Sequence, residues 1–501
     1  MPKIILSTLN ARYIHSSLGL RYLLANMGEL RSQTELVEYN INSRAIDIVE
    51  DLLNKNPDII GFGIYIWNTE QTTQVIKLIK EIKPEIKIIL GGPEVSYEYE
   101  EQECVKAADY LITGQADQTF REICELILNG LAPVEKFIQS RPFNLNEINL
   151  PYTEYTDEDI ANRIIYVEAS RGCPFKCEFC LSSLDKTVYP FNLDLFLDEM
   201  QTLYDKGVRH FKFVDRTFNL KVDTSIRIME FFLDKQDKEL FLHFELIPDH
   251  LPEKLKSTIS RFPEHSLQFE IGIQSLNPEV QKLISRKQNT DKARNNIHWI
   301  RNSSHGHIHA DLIIGLPGED INSFARGFNE LYLMKPHEIQ VGILKRLRGT
   351  PVIRHTEEYD ARFSPLPPYN ILSNKLIDFK TMQRLTRFAR YWDIIINSGR
   401  FKYSRPLILS NTPFENFIKL SDWLFQKTRQ THQFSLERLF KLLHKGSLEI
   451  LNIDKHLIEK TLVKDFEASG IKGQPKFIQN DNQNSSTKKQ NAGLRQKRHL
   501  Q

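Results

Sequence analysis

Long apolar runs are missing from this chain. Its most apolar uncharged stretch, Ile59 to Thr69, falls well short of the roughly 18 residues a membrane-spanning helix needs, so no transmembrane segment is expected. Cysteine is scarce as well: five in 501 residues are too few for a disulfide scaffold. Charge of one sign is lacking, with 66 Lys and Arg against 64 Asp and Glu, and a wide basic face for nucleic acid is not indicated by such totals. The small excess is local, because the last thirty residues carry +6 and leave the rest at −4. Glycine and proline, 22 of each, follow no period, which excludes fibrous classes. What remains, at 41% hydrophobic and 26% charged, is an ordinary globular composition for two to four domains. Met1-Pro2-Lys3 leads straight into a strand-like run without the features of a secretory signal, and the expected location is the cytoplasm.

The first 135 residues alternate β-branched runs with helical periods, the pattern of a parallel sheet covered on both faces. Five strands are predicted, at Lys3–Leu9, Thr34–Tyr39, Asp58–Trp67, Lys87–Leu90 and Asp109–Thr113, a flavodoxin-like or Rossmann-like domain. Ligands of such sheets sit beyond the carboxyl ends of the strands. Those ends hold Asn10, Tyr65, Trp67, Gly91, Gly92 and Gly114, where glycine lets backbone approach a bulky ligand closely; turn residues without a ligand are the plainer alternative. A linker over 136–160 precedes a second alternating series over 161–352, whose six βα units make an incomplete barrel with its active face at the strand ends. Helices are expected over 353–471, with Phe379, Met382, Leu385, Phe388 and Trp392 as a core stripe, and disorder over 472–501, which is rich in Gln, Asn, Ser and Lys.

Three of the five cysteines, Cys173, Cys177 and Cys180, fall in one CxxxCxxC segment directly after the first strand of the second series. Three thiolates on one loop suit one corner each of a cubane iron-sulfur cluster and leave its fourth iron open. A structural zinc site would need a fourth ligand in range, and Cys104 and Cys124, in another domain, are expected to be buried bystanders.

The spacing, its position after the strand and Phe179 just before the last cysteine resemble the radical S-adenosylmethionine (SAM) superfamily. That resemblance implies a four-iron four-sulfur cluster on the three cysteines, whose open iron chelates the amino and carboxylate groups of SAM and whose electron cleaves SAM to a 5′-deoxyadenosyl radical. It also implies that Phe179 packs against the adenine. Val214-Asp215-Arg216-Thr217-Phe218-Asn219 looks like the DDTF-type loop contacting the SAM amino group, with Arg216 where a second Asp often stands. Glu270, Gln274 and Ser275, with the following Arg286, resemble the fourth-strand segment that holds ribose and carboxylate. Gly315, in Asp311-Leu312-Ile313-Ile314-Gly315-Leu316-Pro317-Gly318-Glu319, resembles the fifth-strand motif that passes the adenine.

A flavodoxin-like domain ahead of such a barrel resembles the cobalamin-binding radical SAM class, and the helical region resembles the uncharacterised C-terminal extension of one subgroup. Cobalamin is then implied over Asn10, Tyr65 and Gly91-Gly92. Two motifs depart from the pattern. The DxHxxG string that supplies a cobalt ligand is absent, with Tyr13 in the Asp position, so His15 is expected to be a loop histidine; and Gly114-Gln115-Ala116-Asp117 replaces a Gly-Glu-Gly-Glu string. The implied activity is methylation of an unactivated carbon of a small molecule, with cobalamin-assisted cyclisation or rearrangement, or tRNA modification without cobalamin, as alternatives, and with flavodoxin or ferredoxin as electron donor.

Overall fold

The computed structural model describes residues 3–185, 187–470 and 475. The chain divides into a compact unit Met1–Ala389 and a second from Arg390 onward.

The first unit begins with β1 (Ile4–Asn10), α1 (Leu18–Ala25), β2 (Thr34–Asn40), α2 (Ala45–Asn54), β3 (Ile59–Gly63), α3 (Thr69–Ile82), β4 (Lys87–Gly91), α4 (Glu103–Ala107), β5 (Tyr110–Thr113), α5 (Thr119–Leu128) and β6 (Phe137–Gln139). All pairings are parallel, in the order β2-β1-β3-β4-β5-β6. Order reverses at β1, so the crevice beyond the ends of β1 and β3 is where a ligand belongs. The strands are apolar throughout because both faces are covered. On one side Ile60, Ile88 and Leu90 meet Ile48 and Leu52 of α2 and Val75, Ile76 and Ile79 of α3. On the other, Leu6, Ile89 and Ile112 meet Leu20 and Leu24 of α1 and Phe120 and Ile123 of α5. Cys104 and Cys124 are buried in these two layers. The sheet has a sixth strand where the sequence indicated a linker: β6 pairs Leu111 with Phe137 at the edge, and its three residues are too few for a readable alternation.

After α6 (Asp157–Asn162) come β7 (Ile165–Val167), β8 (Ser170–Arg171), β9 (Tyr189–Pro190), α7 (Leu193–Asp205), β10 (His210–Phe213), α8 (Val222–Leu233), β11 (Phe241–Leu246), α9 (Glu253–Ile259), β12 (Leu267–Gln274), α10 (Pro278–Leu283), α11 (Thr290–Ser303), β13 (His307–Ile314), α12 (Ile321–Leu333) and β14 (Glu338–Ile343). Six of these strands form an open parallel arc in the order β14-β13-β12-β11-β10-β7. On β12 burial alternates strictly: Leu267, Phe269, Ile271 and Ile273 lie in the core, while Gln268, Glu270, Gly272 and Gln274 occupy the opposite face, as the two-residue period of a strand requires. Past β14 the chain forms a small antiparallel pair, β15 (Arg362–Phe363) and β16 (Ile371–Ser373), before α13 (Phe379–Trp392). Met382, Leu385, Phe388 and Trp392 are buried as expected, but Phe379 is 57% exposed, since it opens the helix before the apolar face begins.

In the second unit α14 (Arg405–Leu409), α15 (Pro413–Thr428), α16 (Leu436–Glu449) and α17 (Lys455–Ala468) bury Phe417, Leu424, Phe440, Leu443, Leu462 and Phe466. Residues 472–501, expected to be disordered, lie outside the described residues apart from Pro475.

Candidate active site and cofactor cavities

The cysteine loop is closed at its base by β8 and β9, which pair antiparallel. Gly172 opens it with φ +92°, and a Cβ there would lie 1.9 Å from the Thr187 carbonyl oxygen, so only glycine fits. The loop then turns on itself, the Cys180 amide donating to the Cys177 carbonyl at 3.1 Å.

All three cysteines line one cavity of about 290 Å³ at the strand ends of the arc, together with Phe179, Arg216, Thr217, Glu270, Gln274 and Arg286. Burial pushes the Cys173 and Cys177 thiols up. The Arg286 guanidinium, 3.5 Å from Cys177 Sγ, counters this at Cys177 and is itself fixed by the Gly272 carbonyl and by Gln288 Oε1. Among the described residues no three His, Cys, Asp or Glu side chains close around a single ion, whereas a cubane takes each thiolate on its own iron. The donor set fits a cluster with one open corner: three soft ligands, an adjacent cation for a carboxylate, and polar groups at Glu270 and Gln274.

Three of the predicted SAM contacts do not line this cavity. Asp215 is 4% exposed and accepts from the Ala169 amide at 3.0 Å and from Ser170 Oγ at 2.6 Å; burial pushes it up to about 7. It braces the strand leading into the cysteine loop. Ser275 donates to Glu319 Oε1 at 2.6 Å, and burial brings Glu319 up to about 7 as well. Gly315 has φ +89°, and its vacant Cβ position faces Ile371 and Met382, so it serves a turn. Arg216, in place of an acid, reaches back to Glu245 at 2.8 Å. Asp311, the first residue of the fifth-strand string, also lines the cavity, as do Glu245, Asp249 and Gln288, which were not singled out from sequence. The signal for Glu245 was its position near the carboxyl end of a predicted strand.

Around Glu270 and Asp311 the inner face of the arc is charged. Glu270 lies 3.1 Å from His243 Nε2, and this hydrogen bond, reinforced by Lys212, outweighs burial and holds the carboxyl down at about 2. His309 Nε2 is 3.2 Å from Asp311. Burial opposes its charge, but Asp311, Glu270 and Glu338 outweigh it and bring His309 up to about 9.

A second cavity, of about 440 Å³, opens beyond the ends of the first sheet. Tyr65, Gly91, Gly92 and Gly114 line it, with Leu20 and Leu23 of α1 and Phe120 of α5 as apolar walls. A Cβ at Gly91 would meet nothing nearer than 3.6 Å, so an apolar, glycine-floored slot of this kind fits a flat ring with a bulky tail. Gly92 is glycine for another reason: at φ +110° its Cβ would lie 2.4 Å from the Ile64 carbonyl. Asn10 and Trp67 are not in the lining. Asn10 Nδ2 donates to the His15 carbonyl and to Glu38, each at 2.9 Å; the Trp67 indole donates to the Leu9 carbonyl at 3.0 Å and stacks on Tyr65. His15 also lies outside the lining, its Nδ1 2.7 Å from the Tyr166 hydroxyl. The far wall comes from the cysteine loop and the strand before it: Glu168, Arg171, Gly172, Ser182 and Asp185. Gln115 and Asp117 of the altered string hold Arg171.

Comparison with known proteins agrees with this division. Residues 5–124 match the B12 binding domain, 167–330 the Radical SAM superfamily, and 357–501 the family described as Protein of unknown function (DUF4080). The chain is similar to an uncharacterized methyltransferase of Pyrococcus horikoshii, 25% identical over 60% of this chain and 70% of that protein. It is also similar to the cobalamin-dependent radical SAM methyltransferase TokK of Streptomyces tokunonensis, 22% identical over 62% of this chain but only 51% of that protein. The fold is that of the radical SAM methyltransferase TsrM from Kitasatospora setae, solved with cobalamin and a [4Fe-4S] cluster, at TM-score 0.60 and 13% identity over 94% of this chain and all of that one. A [4Fe-4S] cluster, SAM and cobalamin are the cofactors of a chain so built. With three matches in this order, the chain carries an N-terminal B12-binding domain, a Radical SAM domain and a C-terminal DUF4080 region.

Proposed function

We propose that the protein methylates an unactivated carbon of a small-molecule substrate, as a cobalamin-dependent radical SAM methyltransferase of the cytoplasm. One observation carries this reading: a single loop serves two cavities, its cysteines lining one and its Gly172, Ser182 and Asp185 the other. A methyl donor and a hydrogen-abstracting radical must act on the same carbon, and a shared wall is the arrangement that keeps their cofactors adjacent. When bound, the cluster supplies the electron that cleaves SAM and cobalamin supplies a transferable methyl group.

The chain's own residues divide the remaining work. Cys173, Cys177 and Cys180 hold the cluster; Arg286 pairs with the SAM carboxylate; Glu270 and Gln274 orient its polar groups; Phe179 covers its adenine. Tyr65 and Gly91 would form the floor of the cobalamin site, while His15, engaged by Tyr166 and outside the cavity lining, would take no part in holding it. Leu20, Leu23 and Phe120 give the second cavity an apolar side facing the polar wall of the cysteine loop. No helix among the described residues is long and apolar enough to cross a membrane, and a one-electron protein donor such as flavodoxin or ferredoxin supplies the reductant.

Anaerobic reconstitution followed by mass spectrometry of retained small molecules tests the cofactors. Turnover with SAM and a chemical reductant tests the reaction. Formation of both 5′-deoxyadenosine and S-adenosylhomocysteine marks methylation, because a donated methyl leaves the latter behind; 5′-deoxyadenosine alone, from cobalamin-loaded protein turning over its substrate, would instead mark ring formation or rearrangement.

A further inference from the structure

Glu178 lies between the second and third cysteines yet faces away from the cluster cavity, its side chain 6% exposed. Its carboxylate collects hydrogen bonds from three residues on two separate parts of the chain. Ser285 Oγ donates at 2.6 Å, Arg354 donates through Nε at 2.8 Å and Nη2 at 2.6 Å, and His355 Nε2 lies 3.0 Å away. The main chain repeats the pattern: the Glu178 amide donates to the Ile284 carbonyl and the Val352 amide donates to the Glu178 carbonyl, both at 3.0 Å.

Ser285 is held at φ +55°, a left-handed conformation that is strained for a non-glycine residue and persists only where its surroundings enforce it. The next residue is Arg286, whose Nη1 is 3.5 Å from Cys177 Sγ. The carboxylate on one side of Cys177 therefore fixes the turn that delivers a guanidinium to the other. A surface ion pair would be worth little and would need no such convergence; here Arg354 is exposed, but the Glu178 carboxylate and His355 are buried and the carboxylate is held by charge-assisted hydrogen bonds at several points.

The geometry points to Glu178 as a positioning residue, which locks the Ser285 turn so that Arg286 is aimed at both the Cys177 thiolate and the carboxylate of bound SAM. Arg354 and His355, beyond the barrel strands, form the outer part of the same device. The inference rests on the cluster and SAM reading above.

The test uses full-length reconstituted protein, with SAM titrated against the electron paramagnetic resonance spectrum of the reduced cluster. Glu178→Gln and Ser285→Ala are expected to retain about four irons and to melt close to wild type, while SAM affinity falls roughly tenfold and the SAM-induced spectral shift changes. Unchanged affinity and spectrum in both variants would overturn the inference and leave the cofactor reading standing. Should Glu178→Gln lose its cluster, Ser285→Ala decides alone: weakened SAM binding supports the positioning role and unchanged binding overturns it. Wild-type protein that holds a cluster but shows no response to SAM would overturn the SAM reading, and this inference with it.

Discussion

The guanidinium of Arg171 meets both carboxylate oxygens of Asp117, at 3.0 Å each, across 54 residues of sequence. Arg171 leads into the cysteine loop and Asp117 follows the fifth strand of the first domain, so the pair, within the wall of the second cavity, ties that loop to the first sheet. Its guanidinium also covers the Tyr22 ring at 4.3 Å. Both partners are sheltered, with side chains 15% and 6% exposed. Asp117→Ala is expected to leave a buried cation partnered chiefly by Glu168 and to cost about 3 kcal/mol, read as a lowered denaturation midpoint; an unchanged midpoint would mean that Glu168 suffices.

Removal of a thiolate should separate the five cysteines into two groups. Cys173→Ala, Cys177→Ala and Cys180→Ala are each expected to abolish the brown absorption of a reconstituted cubane cluster, whereas Cys104→Ala and Cys124→Ala, in the layers on either side of the first sheet, retain it. Iron analysis settles the point, and loss of the cluster in either of the last two would require a fourth protein ligand.

Cobalamin binding is best probed at Gly91. A phenylalanine there has room at its Cβ and projects into the slot, so Gly91→Phe is expected to weaken cobalamin retention at least a hundredfold while keeping four irons. Gly92 is unsuitable as a probe, because any Cβ strikes the Ile64 backbone and Gly92→Ala should lower stability whether or not the ligand is present. His15→Ala should leave the cobalt spectrum unchanged, since the imidazole is engaged by Tyr166.

The raised pKa of His309 gives stability a dependence on alkaline pH. A histidine whose folded pKa lies above its unfolded value stabilises fully below about 6.5, and this contribution is lost as pH rises through the folded value, here about 9. The side chain is 16% exposed, and about 3 kcal/mol is the upper bound for the effect. Denaturant midpoints of wild type and His309→Gln should therefore differ at pH 6 and converge by pH 10. A gap that stays constant would show that His309 does not carry the charge.

What could be read in advance was local. The CxxxCxxC spacing brings its three thiols to one cavity because a short loop does so whatever surrounds it, and the apolar runs of the first domain announce a sheet covered on both sides. Orientation at strand ends was less legible: Asp215 and Ser275 sit in the right loops but turn to Ser170 and Glu319. Asn10 likewise binds Glu38, and Trp67 binds Leu9, instead of facing the slot. Least legible were partners distant in sequence. Nothing local marks Arg354 and His355 as neighbours of Glu178, 176 and 177 residues earlier, because such pairs exist only once the chain has closed.

The two-residue ladder between β8 and β9 closes the ends of the cysteine loop through the chain's own pairing. With the ends of the cysteine loop already joined, iron and sulfide meet a preformed noose rather than a free tether, and the entropy of closing that loop has been spent before they arrive. The metal-free protein should thus wait, folded and receptive, for its cargo. Oxidative loss of the cluster would then be an injury that resupply of iron and sulfide repairs, with no need to synthesise the chain again.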